Sequence, residues 1–321
     1  METKPSIFND VIGPIMRGPS SSHTAASWRA AKMSMYILNE PLRKATIDFD
    51  KDGAWAPNYR EQGTTLGIDG GLLGLQMTDD QMKDTEQLAN KLGIEINYEV
   101  GSFKTKHVNT VRLRLEGVHG KQIQVLAASL GGGSVEIQQI NGFEVKISGG
   151  FHELLLVGKR NDVFPEILKS FFPDNQSSTE SIAGDKRLLN YKFSKEVSDE
   201  IIERLKNSGV FEDIIVIDPV LPIVGGNEID LPFSSIESLL KYAEKENLDL
   251  GQIGLIYEKS QSGLSDTEVI AQMENLVGII ETSIKTGLAG TDYEDRILPR
   301  QSHLIDKASK RNKILQNSIV N

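Results

Sequence analysis

The chain has no cysteine among its 321 residues. That excludes disulfides, cysteine nucleophiles, thiolate-bound metals and any cysteine-ligated iron-sulfur cluster held by this chain itself. It also lacks an uninterrupted apolar stretch of the roughly 18 residues that a membrane span requires, and residues 1–10 lack the basic start and apolar run of a signal peptide. The expected location is the cytoplasm. Positive charge is in deficit: 35 Lys and Arg against 45 Asp and Glu leave a formal net charge of −10. Broad attraction to nucleic-acid backbones is therefore not expected, because it needs a basic face that releases counterions. Residues 307–313 are locally basic and read as a solvated helix end. Histidine is sparse as well, and His23, His107, His119, His152 and His303 show no spacing that suggests a metal site.

What is present fits a multidomain α/β (α+β) protein. The chain is longer than a single hydrophobic core usually grows, and 39% hydrophobic with 25% charged residues is an ordinary globular balance. A helix is expected over residues 24–38 after a Ser-rich stretch that can cap its amides, then an extended run over 45–49. A Gly-rich stretch, Gly70-Gly71-Leu72-Leu73-Gly74, precedes an amphipathic helix over 79–92, closed by Gly93, and a strand over 94–100. Residues 110–116 and 121–127 read as one hairpin. Residues 135–140 and 143–147 read as another, turned by Asn141-Gly142. From about residue 151 the order becomes β-α-β-β-α-β: strand 153–157, helix 163–171, strands near 178–182 and 187–193, helix 196–207, strand 214–217. That is a ferredoxin-like order. Pro219, Pro222, Pro232 and Gly225-Gly226 mark a linker. Helices follow over 236–245, 250–259 and 266–286, with Ser234 or Ser235 and Ser265 placed as caps. The last carries an apolar stripe through Val269, Met273, Leu276, Ile280 and Ile284.

One stretch carries chemistry: Ile12-Gly13-Pro14-Ile15-Met16-Arg17-Gly18-Pro19-Ser20-Ser21-Ser22-His23-Thr24. Hydroxyls and an imidazole stand at a helix start, where outward amides and the helix dipole favour an anion such as a carboxylate. The plainer reading is a helix N-cap with spare serines.

This motif resembles the Gly-Pro-Ser-Ser-Ser-His-Thr signature of the β chain or β domain of iron-sulfur L-serine dehydratases. The resemblance continues through Gly70 to Asp80, through His107-Val108-Asn109-Thr110, where the family has His-Pro-Asn-Thr, and through Leu130-Gly131-Gly132-Gly133-Ser134 to Asn141-Gly142. It implies a β-chain domain over residues 1–150, similar to the allosteric substrate-binding domain of phosphoglycerate dehydrogenases. An ACT-like domain would follow over 151–222, with Asn161-Asp162-Val163-Phe164 in place of the usual Pro-Gly turn. A helical segment over 233–321 resembles the opening of the family's α chain, and the cysteine-bearing core expected next is absent.

The resemblance implies a lyase that converts L-serine to pyruvate and ammonia, with a 4Fe-4S cluster held by a cysteine-bearing α-type partner and none bound by this chain. It implies a hetero-oligomer, inactive as the isolated chain, with His23 as acid or base and Ser20, Ser21, Ser22 and Thr24 holding the substrate. His107, Asn109 and Thr110 read either as an imidazole bonded to its own turn or as an interface or anion contact. One departure stands out. Where the family carries Gly-His-Gly-Thr-Asp, this sequence has Glu61-Gln62-Gly63-Thr64-Thr65, which removes a histidine and an aspartate. A lyase for another β-substituted amino acid, a non-catalytic amino-acid-sensing subunit, or a truncated enzyme therefore stay open beside the main reading.

Overall fold

A computed structural model describes residues 5–103, 105, 107–161, 168, 178–226, 230–290 and 301–311. The described chain divides into two compact units, Met1–Leu231 with Ser260–Gly263, and Pro232–Lys259 with Leu264–Asn321.

The first unit holds two sheets. Helix α1 (Ala26–Leu38) follows a wide π-type turn at Ser21–Ala25 and ends at Asn39, whose left-handed backbone closes the last turn. Strand β1 (Leu42–Asp50) alternates so that Ala45, Ile47 and Phe49 are fully buried. Helix α2 (Thr64–Leu72) comes next and was not expected from the sequence, because glycines at 67, 70 and 71 argue against a helix. The tertiary contact overrides that propensity: a Cβ at Gly67 would lie 2.1 Å from the Thr24 carbonyl oxygen, and one at Gly71 would lie 2.6 Å from that of Trp28. Only glycine lets the two helices approach this closely.

The single helix expected over 79–92 is instead a 3-10 turn (Asp80–Asp84) followed by α3 (Thr85–Leu92), with Met82 driven into the core beside Trp28. Strands β2 (Glu95–Gly101), β3 (Thr110–Gly117), β4 (Gln122–Gly131), β5 (Ser134–Ile140) and β6 (Phe143–Ile147) complete a sheet of order β2-β1-β3-β4-β5-β6. Only the β1–β2 pair is parallel. At the β5–β6 turn Asn141 and Gly142 both have positive φ, 49° and 91°, as a two-residue hairpin requires.

The second sheet contains β7 (His152–Lys159), β8 (Ser178–Ala183), β9 (Lys186–Phe193) and β10 (Asp213–Ile217) in the order β10-β7-β9-β8, all antiparallel. Helix α4 (Asp199–Asn207) precedes β10. The helix expected over 163–171 lies outside the described residues except for helical Leu168. Leu155, Leu188, Ile215 and Ile217 of this sheet share one core with Ile137 and Ile147 of the first.

The second unit is helical: α5 (Ile236–Glu246), most of α6 (Leu250–Ser262), α7 (Asp266–Ala289) and α8 (Ser302–Arg311). Ser235 and Ser265 cap α5 and α7 as expected, each accepting from the amide three residues on. Among the described residues no helix is long and apolar enough to cross a membrane.

Candidate active site

The Ser-rich motif folds as the π-type turn that leads into α1. The Thr24 amide donates to the Ser20 carbonyl at 2.7 Å, which closes the turn through the backbone. No serine side chain caps it, against the expectation from sequence: Ser20 is extended and its hydroxyl lies 3.2 Å from the Ser22 hydroxyl. A helix start leaves its first amides without acceptors along the chain. The hydroxyls of Ser20, Ser21 and Ser22 therefore remain half-buried side chains at an electropositive helix start rather than spent caps.

His23 is half-buried and faces α2. Its Nδ1 lies 2.9 Å from the Thr64 hydroxyl, and its ring lies 5.8 Å from that of Trp55, which is buried. Burial pushes its pKa below the ordinary imidazole value, because the charged form loses solvation. Thr24 is fully buried and its hydroxyl donates to the Gln62 carbonyl at 3.4 Å. Ser27, also buried, donates to both the Thr24 and the Thr64 carbonyls, at 3.1 and 3.0 Å. Within the segment that departs from the family pattern, Gln62 and Thr64 thus meet the His23 loop and the start of α1.

The His107 element is tied to the Ser-rich loop through Ser129. His107 Nδ1 accepts from the Asn109 amide at 3.1 Å and its carbonyl accepts from the Thr110 hydroxyl at 2.6 Å, so the imidazole is bonded to its own turn. Ser129 joins this element to the Ser-rich loop: its amide donates to the Asn109 carbonyl at 3.0 Å and its hydroxyl to the Ser22 carbonyl at 2.9 Å. The Val108 carbonyl also accepts from the amide of Ala54, beside Trp55.

Several residues with a part in this geometry were not signalled by sequence. Arg29 on α1 is 1% exposed and donates from Nη1 to the Gly133 carbonyl at 2.6 Å, fastening the β4–β5 turn to the helix. Burial lowers its pKa to about 10, opposed by Asp10, so it stays a cation near neutrality. Asp69 on α2 accepts short hydrogen bonding from the Tyr98 hydroxyl and a longer bond of 3.4 Å from Thr85. Burial raises its pKa to about 6 despite these donors. Thr64 alone had a sequence signal, since it lies inside the departing segment.

The chain's residues do not fit as ligands of an iron-sulfur cluster, since cysteine is absent. Among the described residues no three His, Asp or Glu side chains gather into a metal-binding group.

No family model matches the chain. Over 208 residues it is 31% identical to a protein described as probable L-serine dehydratase, beta chain, of Bacillus subtilis (strain 168), covering 62% of this chain and 92% of that one. Over 202 residues it is 27% identical to the L-serine dehydratase, beta chain, of Peptoniphilus asaccharolyticus, covering 62% and 90% respectively. With nearly the whole of two such proteins aligned, the chain belongs to the family of L-serine dehydratase beta chains.

Proposed function

We propose that the chain is the cluster-free subunit of a two-chain lyase that converts L-serine to pyruvate and ammonia. A cysteine-bearing α-type partner would hold the 4Fe-4S cluster, because this chain has no thiolate to offer. The names of the aligned beta chains support the reaction and the existence of a partner. The observation that carries this chain's role is the His23 loop, whose serine hydroxyls are not consumed as caps and whose imidazole is held on one nitrogen.

In this reading the substrate carboxylate lies at the helix start, held by Ser20, Ser21 and Ser22; Thr24, expected beside them, is fully buried with its hydroxyl given to the Gln62 carbonyl, and so builds the loop instead. The Cα–H bond breaks and its proton goes to His23. The electron pair forms the Cα=Cβ bond as the β-hydroxyl leaves and takes up a proton to become water. The aminoacrylate then hydrolyses to pyruvate and ammonia. A lowered pKa keeps the imidazole neutral near pH 7, as an acceptor of that proton must be.

The exposed apolar side of α7, including Ile280 and Ile284, is the proposed seat of the partner. The sheet of β7 to β10 is proposed as an ACT-like module for an amino-acid effector, supported by its strand sequence. The presence of Gln62 and Thr65 where the family carries a histidine and an aspartate favours a second reading, in which the substrate is another β-substituted amino acid, because neither side chain titrates or carries charge.

The test is turnover per cluster in complexes shown to be assembled. His23→Ala should lower kcat by about a hundredfold or more, the scale for losing a general acid or base. Ser21→Ala and Ser22→Ala should act mainly on KM, as expected for groups that hold ground and transition states alike. Near wild-type turnover in the His23→Ala complex would remove the catalytic assignment.

A further inference from the structure

Arg29 stands on α1 one turn beyond Ala25, the last residue of the π-type turn, and is almost fully buried. Helical side chains lean back toward the N-terminus, so its guanidinium returns to the helix start. A Cβ built on Gly133 would lie 3.3 Å from its Nη1, 3.4 Å from Pro14 Cγ and 3.5 Å from Ala25 Cβ. The guanidinium, the Gly-Pro turn that leads into the Ser-rich stretch and the end of that stretch therefore meet at one place. What this charge lacks is an anion. Its Nη1 donates to a neutral acceptor, the Gly133 carbonyl, and its Nε is buried with no partner among the described residues. Among those residues no carboxylate hydrogen-bonds it either; Asp10 acts on it only through space, and accepts from the Ser6 amide at 2.8 Å instead. A buried cation in this condition is costly until a negative charge arrives.

We infer that Arg29 is a specificity-determining residue: its buried charge beside the start of α1 makes the Ser-rich loop a seat for a carboxylate in preference to a neutral group of the same shape. The inference rests on the reading above, in which the substrate carboxylate lies at this helix start. The hydroxyls of Ser20, Ser21 and Ser22 offer direct hydrogen bonds, which a neutral carbonyl accepts as well as a carboxylate does. The guanidinium separates the two, because a unit charge a few ångströms away in protein acts far more strongly on an anion than it would across water. The bound carboxylate in turn supplies the counter-charge that Arg29 lacks. A charge that holds the carboxylate alike in ground and transition states acts on KM and leaves kcat alone.

The experiment compares Arg29→Gln with Arg29→Lys in the assembled two-chain enzyme. Each variant keeps a donor for the Gly133 carbonyl, and only the second keeps the charge. Near pH 7, Arg29→Gln should raise KM for L-serine by about tenfold or more with kcat per cluster within about threefold of wild type, while Arg29→Lys stays close to wild type in both. Burial lowers an ammonium below its usual value of about 10.4, so Arg29→Lys should shed its charge between about pH 7 and pH 9.5. Over that range its KM, relative to wild type at the same pH, should climb toward that of Arg29→Gln. A residue that only fastens the β4–β5 turn gives equal losses in both variants and no climb. Equal KM values in the two variants, a ratio of Arg29→Lys to wild type that is flat with pH, or lost assembly with an unmoved KM in the complex that does form would overturn the proposal. The pH series needs only Arg29→Lys to fold. Failure of the parent reading shows separately, as an unmoved KM in the Ser21→Ala and Ser22→Ala complexes.

Discussion

Helices α1 and α7 read alike in the sequence, each with apolar residues at helical spacing, yet they meet opposite fates. In α1, Ala26, Ala30, Ala31, Met33, Ile37 and Leu38 are all fully buried, and Arg29 and Ser27 are buried with them. In α7, Val269 is buried, but Ile270, Val277 and Ile280 remain 46%, 47% and 47% exposed. The apolar stripe of α7 is thus divided: Val269 is packed, Met273 and Leu276 are half-buried, and Ile280 and Ile284 are exposed. Fully burying one such side chain is worth about 1.5–3 kcal/mol. The first helix realises that gain within its own chain, while much of the second leaves it to be gained elsewhere. Periodicity identifies a helix with an apolar side, and does not say whether the same chain supplies the cover.

The contrast can be broken most sharply at the glycines. Gly67→Ala would force a methyl to 2.1 Å from the Thr24 carbonyl oxygen and 2.2 Å from the Ser27 hydroxyl. Overpacking against backbone should cost about 3 kcal/mol or more, seen as a lowered denaturation midpoint and a displaced His23 resonance. Next comes Asp69, whose pKa rises from 3.8 unfolded to about 6 folded, so the folded state binds its proton more tightly. Stability therefore falls as pH rises through that interval. Relative to Asp69→Asn, the parent should lose about 2 kcal/mol between about pH 4.5 and pH 7 in urea titrations; a difference that is flat with pH would contradict the buried assignment.

On the other side of the comparison, Ile280→Glu with Ile284→Glu should weaken co-purification with the partner chain by about tenfold or more. The stability of the chain itself should stay within about 0.5 kcal/mol, as for surface changes. Unchanged assembly would show that this side of α7 is not the seat of the partner. The smallest effect is expected at Gly278 in α7, where a Cβ meets nothing within 4 Å. Gly278→Ala should stabilise that helix by about 0.5–1 kcal/mol, opposite in sign to the same change at Gly67.

The amino-acid sequence by itself determined the order and kind of most elements, because local signals decide them: the Asn141-Gly142 turn, the caps at Ser235 and Ser265, and the alternation along β3 to β6. It also singled out the Ser-rich loop and His23, and through cysteine's absence it ruled out a cluster on this chain. Helix α2 was hidden, since glycines that weaken a helix locally are the ones that let it lie against α1. The partners of His23 were hidden for a related reason. Thr64 is 41 residues away in the chain and Ser129 is 107 residues from Ser22, so their hydrogen bonds exist only once the helices and strands have packed. Asp69 and Tyr98, 29 residues apart, looked like ordinary polar positions. Tertiary structure decided which hydroxyl holds the imidazole and which carboxyl loses its water, because desolvation and hydrogen-bond geometry are properties of the assembled core and not of any one segment.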